Sequence, residues 1–169
     1  MRLLIDIGNT EVTLGLSEGA EVRGRWRLTS SAERTPDEWA VSIEAFVVRA
    51  GHSPGELRSA CLASVVPAIS SAIGDAVRSA GITAVGVVEP AAALPLVLDV
   101  DEPLAVGADR IANAVAAYDL YGGPSIVVDF GTANTIEAIS AKGEYLGGAI
   151  FPGIEISMDA LFGRAAALR

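Results

Sequence analysis

Two copies of one short pattern constrain this chain more than any other feature. Ile5-Asp6-Ile7-Gly8-Asn9-Thr10 and Val128-Asp129-Phe130-Gly131-Thr132 each set an aspartate, an apolar residue and a glycine at the end of an apolar run. Each copy opens a three-stranded meander and is followed by a helix signal. Such a recurrence is duplication at the scale of a domain, not the short period of a solenoid. The expected fold is therefore α/β, with two lobes that begin alike.

In the first copy, residues 3–7 read as a buried strand. Val12, Leu14 and Leu16 then alternate with Thr13, Gly15 and Ser17 at strand period, and Glu18-Gly19 turns the chain. Residues 21–28 read as a third strand with Val22, Gly24, Trp26 and Leu28 on one face. Thr35-Pro36-Asp37-Glu38 is a helix start: a capping hydroxyl, proline at the first helical position, acids in the first turn. Trp39, Ile43, Phe46 and Val47 recur at helical spacing up to Gly51. Then come a strand over 57–66, a helix over 68–79, a strand over 82–88 and a crossing loop over 91–103. A helix over 111–121 leads into the second copy, with strands over 125–128, 135–140 and 145–151 and a helix over 154–168. The domains are expected at 1–110 and 111–169, the second being the first part of a lobe that stops early.

Composition supports a packed globular chain: 51% of residues are hydrophobic and 20% charged. With aromatics at only 5%, the core must be aliphatic, which suits buried parallel strands covered by helices. The net charge of −9 gives no long-range attraction for nucleic acid or an anionic membrane. An anionic ligand such as ATP remains compatible, because backbone N–H groups and a cation neutralise phosphate locally. The single cysteine, Cys61, lies in an apolar run and is expected to be a buried core thiol. No apolar run is long enough to span a membrane, and the amino terminus has no signal-peptide layout, so the expected compartment is the cytoplasm.

The repeated bends have two readings. Aspartate, asparagine and glycine form ordinary hairpin turns. They also make a phosphate grip: Gly8 lets backbone approach a phosphate, Asn9 and Thr10 donate hydrogen bonds, and Asp6 can hold a hydrated Mg²⁺. Asp129-Phe130-Gly131-Thr132-Ala133-Asn134-Thr135 offers the same parts. Two such bends, each after an apolar strand, favour the grip over the turn, with both closing on one triphosphate.

Gly107-Ala108-Asp109-Arg110 precedes the central helix. Asp109 is either a helix N-cap or a base for a substrate hydroxyl beside an anion-binding Arg110. Gly147-Gly148-Ala149-Ile150-Phe151-Pro152-Gly153 puts paired glycines in a strand, which marks tight packing or close approach of a ligand. His52, Trp26, Trp39 and the alternating Arg23, Arg25 and Arg27 read as loop, core and solvated face respectively.

In order and content these four stretches resemble the type III pantothenate kinases, from Met1 to the end of the chain. The resemblance implies duplicated ribonuclease H-like (actin-like ATPase) domains with a cleft between them, and a homodimer. It implies that Asp6, Ile7, Gly8, Asn9, Thr10, Glu11, Val12 and Thr13 bind ATP, with Asp6 near Mg²⁺. Thr132 would contact ATP, and Asp129 would bind K⁺ or NH₄⁺. Gly107, Ala108, Asp109 and Arg110 would contact pantothenate, with Asp109 as general base. Gly147, Gly148, Pro152 and Gly153 would shape the cleft.

Three departures stand out. Glu137 occupies a position where the family commonly has Asp, Asn134 replaces a commoner Thr, and the family continues past Arg169. On that comparison the second lobe is expected to be incomplete. The rival expectations are a non-catalytic nucleotide-binding or regulatory relative, and a sugar or acetate kinase, which would lack the Gly107 to Arg110 stretch.

Overall fold

A computed structural model describes residues 1–165. The chain forms two compact units, Met1–Glu89 and Pro90–Arg169.

The first unit opens with β1 (Arg2–Ile7), β2 (Glu11–Glu18) and β3 (Glu21–Thr29), then α1 (Pro36–Arg49), β4 (Ser59–Ser64), α2 (Pro67–Ser79) and β5 (Ala84–Val88). Its sheet runs β3-β2-β1-β4-β5, antiparallel in the meander and parallel from β1 to β4 and β5. Alternation in β1 sends Leu3, Ile5 and Ile7 to one face, where they join Trp39, Ile43 and Val47 of α1 and Ile69, Ile73 and Val77 of α2 in one buried cluster. Asp6 points to the other face, as does Cys61 in the neighbouring strand. Cys61 is consequently half-buried instead of a core thiol, because the helices cover only the opposite face.

Helix α1 begins as its sequence dictates. Thr35 Oγ1 accepts from the Glu38 N–H, and the Glu38 carboxylate accepts from the Thr35 N–H at 2.8 Å, a complete capping box. Trp26 stacks on Phe46 with ring centroids 5.2 Å apart, and Gly24 leaves room for the indole. His52, expected as a solvated loop residue, is half-buried and lies 3.2 Å from Glu56.

The second unit contains β6 (Val97–Leu98), α3 (Ala108–Tyr121), β7 (Ser125–Phe130), β8 (Ala133–Ile139), β9 (Glu144–Pro152) and α4 (Ile154–Arg164). Its sheet order is β6-β9-β8-β7. The meander β7-β8-β9 repeats the antiparallel pairing of β1-β2-β3. The expected loop over 91–103 holds β6, two residues paired in parallel with β9; a strand that short has no periodicity to read. The domain division expected at 110 and 111 falls inside α3, which packs on β7 and β8 and so belongs with the second sheet. Of the helix expected over 154–168, residues 166–168 lie outside the described residues.

The two sheets are covered differently. Ile7 is fully buried, whereas its counterpart Phe130 is 75% exposed, with Ile126 at 64% and Val128 at 47% on the same face. Helix α3 covers the opposite face of the second sheet, where Ile139, Tyr145, Ile111 and Ala114 are buried. Among the described residues β7 pairs only with β8, while β1 has a strand on both sides. No helix among the described residues is long and apolar enough to cross a membrane.

Candidate functional site

In the first unit the bend after β1 is held from three directions. Gly8 N–H donates to Glu11 O at 3.0 Å, which closes the turn into β2. Ser30, at the end of β3, donates its N–H to Thr10 O at 2.9 Å and its hydroxyl to Gly8 O at 2.6 Å. A Cβ on Gly8 would stand 3.1 Å from Glu11 O, so a side chain there would press on the turn. Asn9, Thr10 and Glu11 are exposed on the bend, Asp6 is exposed in β1, and Thr13 pairs with Asp6 across β2. Val12 is fully buried and Ile7 also sits in the core, so of this set they anchor the bend and do not present a side chain.

The bend after β7 is one residue shorter, running from Phe130 to Ala133 where the first runs from Ile7 to Glu11. Gly131 N–H donates to Ala133 O at 3.2 Å, and Gly153 N–H donates to Thr132 O at 3.0 Å. A Cβ on Gly153 would run into the Gly131 and Thr132 carbonyls, which explains glycine there. Asp129 is exposed, and its Oδ2 accepts from Asn113 Nδ2 at 2.9 Å.

Helix α3 starts one turn earlier than its apolar pattern suggested. Its N-cap is Gly107, and Ala108, Asp109 and Arg110 form the first turn. Asp109 is therefore inside the helix and not its cap, at the positive end of the dipole where a carboxylate is favoured. Its Oδ1 accepts from the Arg110 N–H at 2.8 Å. Asn113 follows Asp109 by four residues, so both lie on one face of α3.

Arg110 turns toward the sheet. Its Nε donates to Glu137 Oε1 at 2.9 Å; the Glu137 side chain is 0% exposed and that of Arg110 15%. The guanidinium carbon lies 5.8 Å from the Tyr145 ring centroid. Glu137 pairs with Gly148 across β8 and β9. A Cβ on Gly148 would collide with the backbone carbonyl of Ile136 on the paired strand and would also meet Arg110 Nη2 at 2.9 Å, so glycine here is required first by the close approach of β8. Burial pushes the Tyr145 hydroxyl's pKa up; Arg110 opposes that shift, and Glu137 and Asp109 add to it. Among the described residues, Glu137 Oε2, Thr135 Oγ1 and Tyr145 OH are buried without a hydrogen-bond partner.

In the second unit α3 thus reaches the sheet at two places, Arg110 on Glu137 and Asn113 on Asp129, with Asp109 beside Arg110 in the first turn. Sequence reading named neither Ser30 nor Asn113 nor Tyr145 as part of a site. Asn113 carries a signal in its helical spacing from Asp109, but Ser30 and Tyr145 acquire their places only through strand pairing. Among the described residues no group of three or more His, Cys, Asp or Glu is arranged to hold a metal ion.

The meander-first sheets and paired aspartate–glycine bends define an α/β protein of the actin-like ATPase fold. The chain is similar in structure to ethanolamine utilization protein EutJ from Carboxydothermus hydrogenoformans, with a TM-score of 0.52 at 22% identity, covering 95% of this chain and 56% of that one. It is likewise similar to the Ppx/GppA phosphatase of Aquifex aeolicus, with a TM-score of 0.51 at 15% identity over 95% of this chain and 55% of that one. At these identities the likeness concerns the fold alone.

Sequence narrows the class. The family model for type III pantothenate kinase matches residues 2–169, and the chain belongs to that family. It is 45% identical over 168 residues to the type III pantothenate kinase of Moorella thermoacetica, covering 99% of this chain and 66% of that protein. Against the one from Thermomicrobium roseum it is 45% identical over 168 residues, covering 99% of this chain and 65% of the relative. The chain thus spans slightly under two thirds of the length of these relatives.

Proposed function

We propose that this chain carries out, or forms the greater part of a protein that carries out, ATP-dependent phosphorylation of pantothenate to 4'-phosphopantothenate, the first step of coenzyme A biosynthesis. The observation that carries the reading is the first turn of α3, where Asp109 stands beside an Arg110 held by a buried carboxylate. Family membership supplies the substrate class.

The chemistry follows from the residue types. The pantothenate hydroxyl oxygen bonds to the γ-phosphorus of ATP, the bond from that phosphorus to the β–γ bridging oxygen breaks, and ADP leaves. Asp109 accepts the hydroxyl proton, and Arg110 binds the substrate carboxylate. Asp6, Ile7, Gly8, Asn9, Thr10, Glu11, Val12 and Thr13, with Thr132, bind ATP through backbone N–H groups and hydroxyls. In such a transfer, positioning and neutralisation of charge account for most of the acceleration.

Asp6 and Asp129 are exposed carboxylates, each two residues before a glycine bend, and hard oxygen donors of this kind suit Mg²⁺ and K⁺ or NH₄⁺. Asp6 would hold Mg²⁺ and Asp129 the monovalent cation, and both ions would offset phosphate charge. We further assign the protein to the cytoplasm as a homodimer.

The test is ADP release by this chain with ATP, Mg²⁺ and K⁺, with and without pantothenate. Pantothenate-dependent ADP release supports the kinase. Nucleotide binding with neither pantothenate binding nor turnover would instead favour a regulatory relative.

A further inference from the structure

Glu137 is the least exposed charged side chain of the second unit's site, and the proposed chemistry gives it no contact with a substrate. A buried ion pair is weak evidence for stability, since apolar residues of similar volume often hold a fold as well or better. A carboxylate kept at 0% exposure opposite a guanidinium therefore calls for a role beyond holding the sheet.

The geometry supplies one. Glu137 Oε1 engages Arg110 through Nε and not through the paired terminal nitrogens that a two-pronged carboxylate grip uses. Nη2 sits over Gly148, in space that a Cβ would take. The Tyr145 ring lies 5.8 Å from the guanidinium carbon and limits its swing. Two strand positions thus hold one side chain: Glu137 by its charge and Tyr145 by its ring. The long rotamer freedom of arginine is removed before any ligand arrives, which lowers the entropic cost of recognition.

We propose that Glu137 is a positioning residue that fixes the Arg110 guanidinium by its Nε edge and so leaves the terminal nitrogens for the carboxylate of pantothenate. This role rests on the kinase reading above. It makes Glu137 a determinant of selectivity for an anionic over a neutral substrate.

The test compares this chain with its Glu137→Gln and Glu137→Asp variants. Calorimetry measures binding of pantothenate, of an analogue whose carboxylate is replaced by an alcohol, and of ATP. Nitrogen-15 spectra of the arginine side chains follow the Arg110 Nε–H. In Glu137→Gln, pantothenate is expected to bind about tenfold more weakly, with the alcohol analogue and ATP within about twofold of wild type. The Nε–H is expected to lose its protection from exchange, and Glu137→Asp to recover part of both effects.

Equal weakening of pantothenate and the alcohol analogue, or unchanged pantothenate binding, overturns the role. If Glu137→Gln does not fold, Glu137→Asp carries the same comparison. Full pantothenate affinity in Glu137→Asp with a deprotected Nε–H then overturns it. A wild type that shows the protected Nε–H but binds no pantothenate refutes the substrate reading itself, and the role with it.

Discussion

Asn113 Nδ2 donates to Asp129 Oδ2 at 2.9 Å, tying the second turn of α3 to the end of β7. One oxygen of the carboxylate assigned to the monovalent cation is thereby held in place. Replacing Asn113 by alanine is expected to raise the K⁺ concentration needed for half-maximal activity by roughly three- to tenfold, about the worth of one ordinary hydrogen bond, since solvent screens this exposed pair. Activity measured against K⁺ at fixed ATP checks this; an unchanged K⁺ dependence would mean that Asp129 needs no such support.

Asp109 sits in the first turn of α3 with Oδ1 on the Arg110 N–H, so an amide in its place fits the same space. Asp109→Asn should leave ATP binding and melting temperature near wild type. Phosphoryl transfer should fall by about 10²- to 10⁴-fold, the range for loss of a general base. Single-turnover transfer from labelled ATP is the measurement, and turnover near wild type would remove Asp109 from the base role.

Tyr145 makes stability depend on alkaline pH. Burial raises its pKa above the ordinary 10.0, so the folded chain holds the phenolic proton longer than the unfolded chain does. The sign follows: this contribution is fully present below pH 10 and is lost as pH rises through the raised folded value. Tyr145→Phe should therefore flatten the alkaline end of the stability curve of the second unit relative to wild type. Urea melts between neutral pH and about pH 11 test it, and parallel curves for the two proteins would contradict it.

Ile126, Val128 and Phe130 form an exposed apolar row along β7. Rows of this kind bind apolar dyes and lower solubility. Threonine at all three positions, which keeps strand propensity, is expected to cut binding of an apolar fluorescent dye and to raise the concentration at which the chain precipitates. Unaltered dye binding would show that this face is not what the dye reads.

Much of this protein was legible before any coordinates. The two bends, the meanders, the Thr35 N-cap and the helix expected over 68–79, which begins one residue earlier at Pro67, all follow from local chemistry. Turn residues, a capping hydroxyl and strand alternation act over a few neighbours, and the structure places those elements where the pattern put them. The recurrence of aspartate–glycine bends pointed to the fold, and the four stretches together, including Gly107 to Arg110 and Gly147 to Gly153, pointed to the family. The start of α3 was missed because Gly107, Ala108 and Asp109 carry no apolar periodicity, although Gly107 caps the helix.

What local sequence could not decide is what crosses between strands and helices. Nothing near Glu137 in sequence announces Arg110 as its partner; strand register and the packing of α3 bring the two together. The same holds for Ser30 closing the first bend and for Asn113 holding Asp129. Ile7 and Phe130 occupy matching places in their repeats, yet one is buried and the other exposed, because burial depends on which face of a sheet receives helices. Residue type sets what a side chain can do, and long-range packing sets which groups it meets and whether water reaches it.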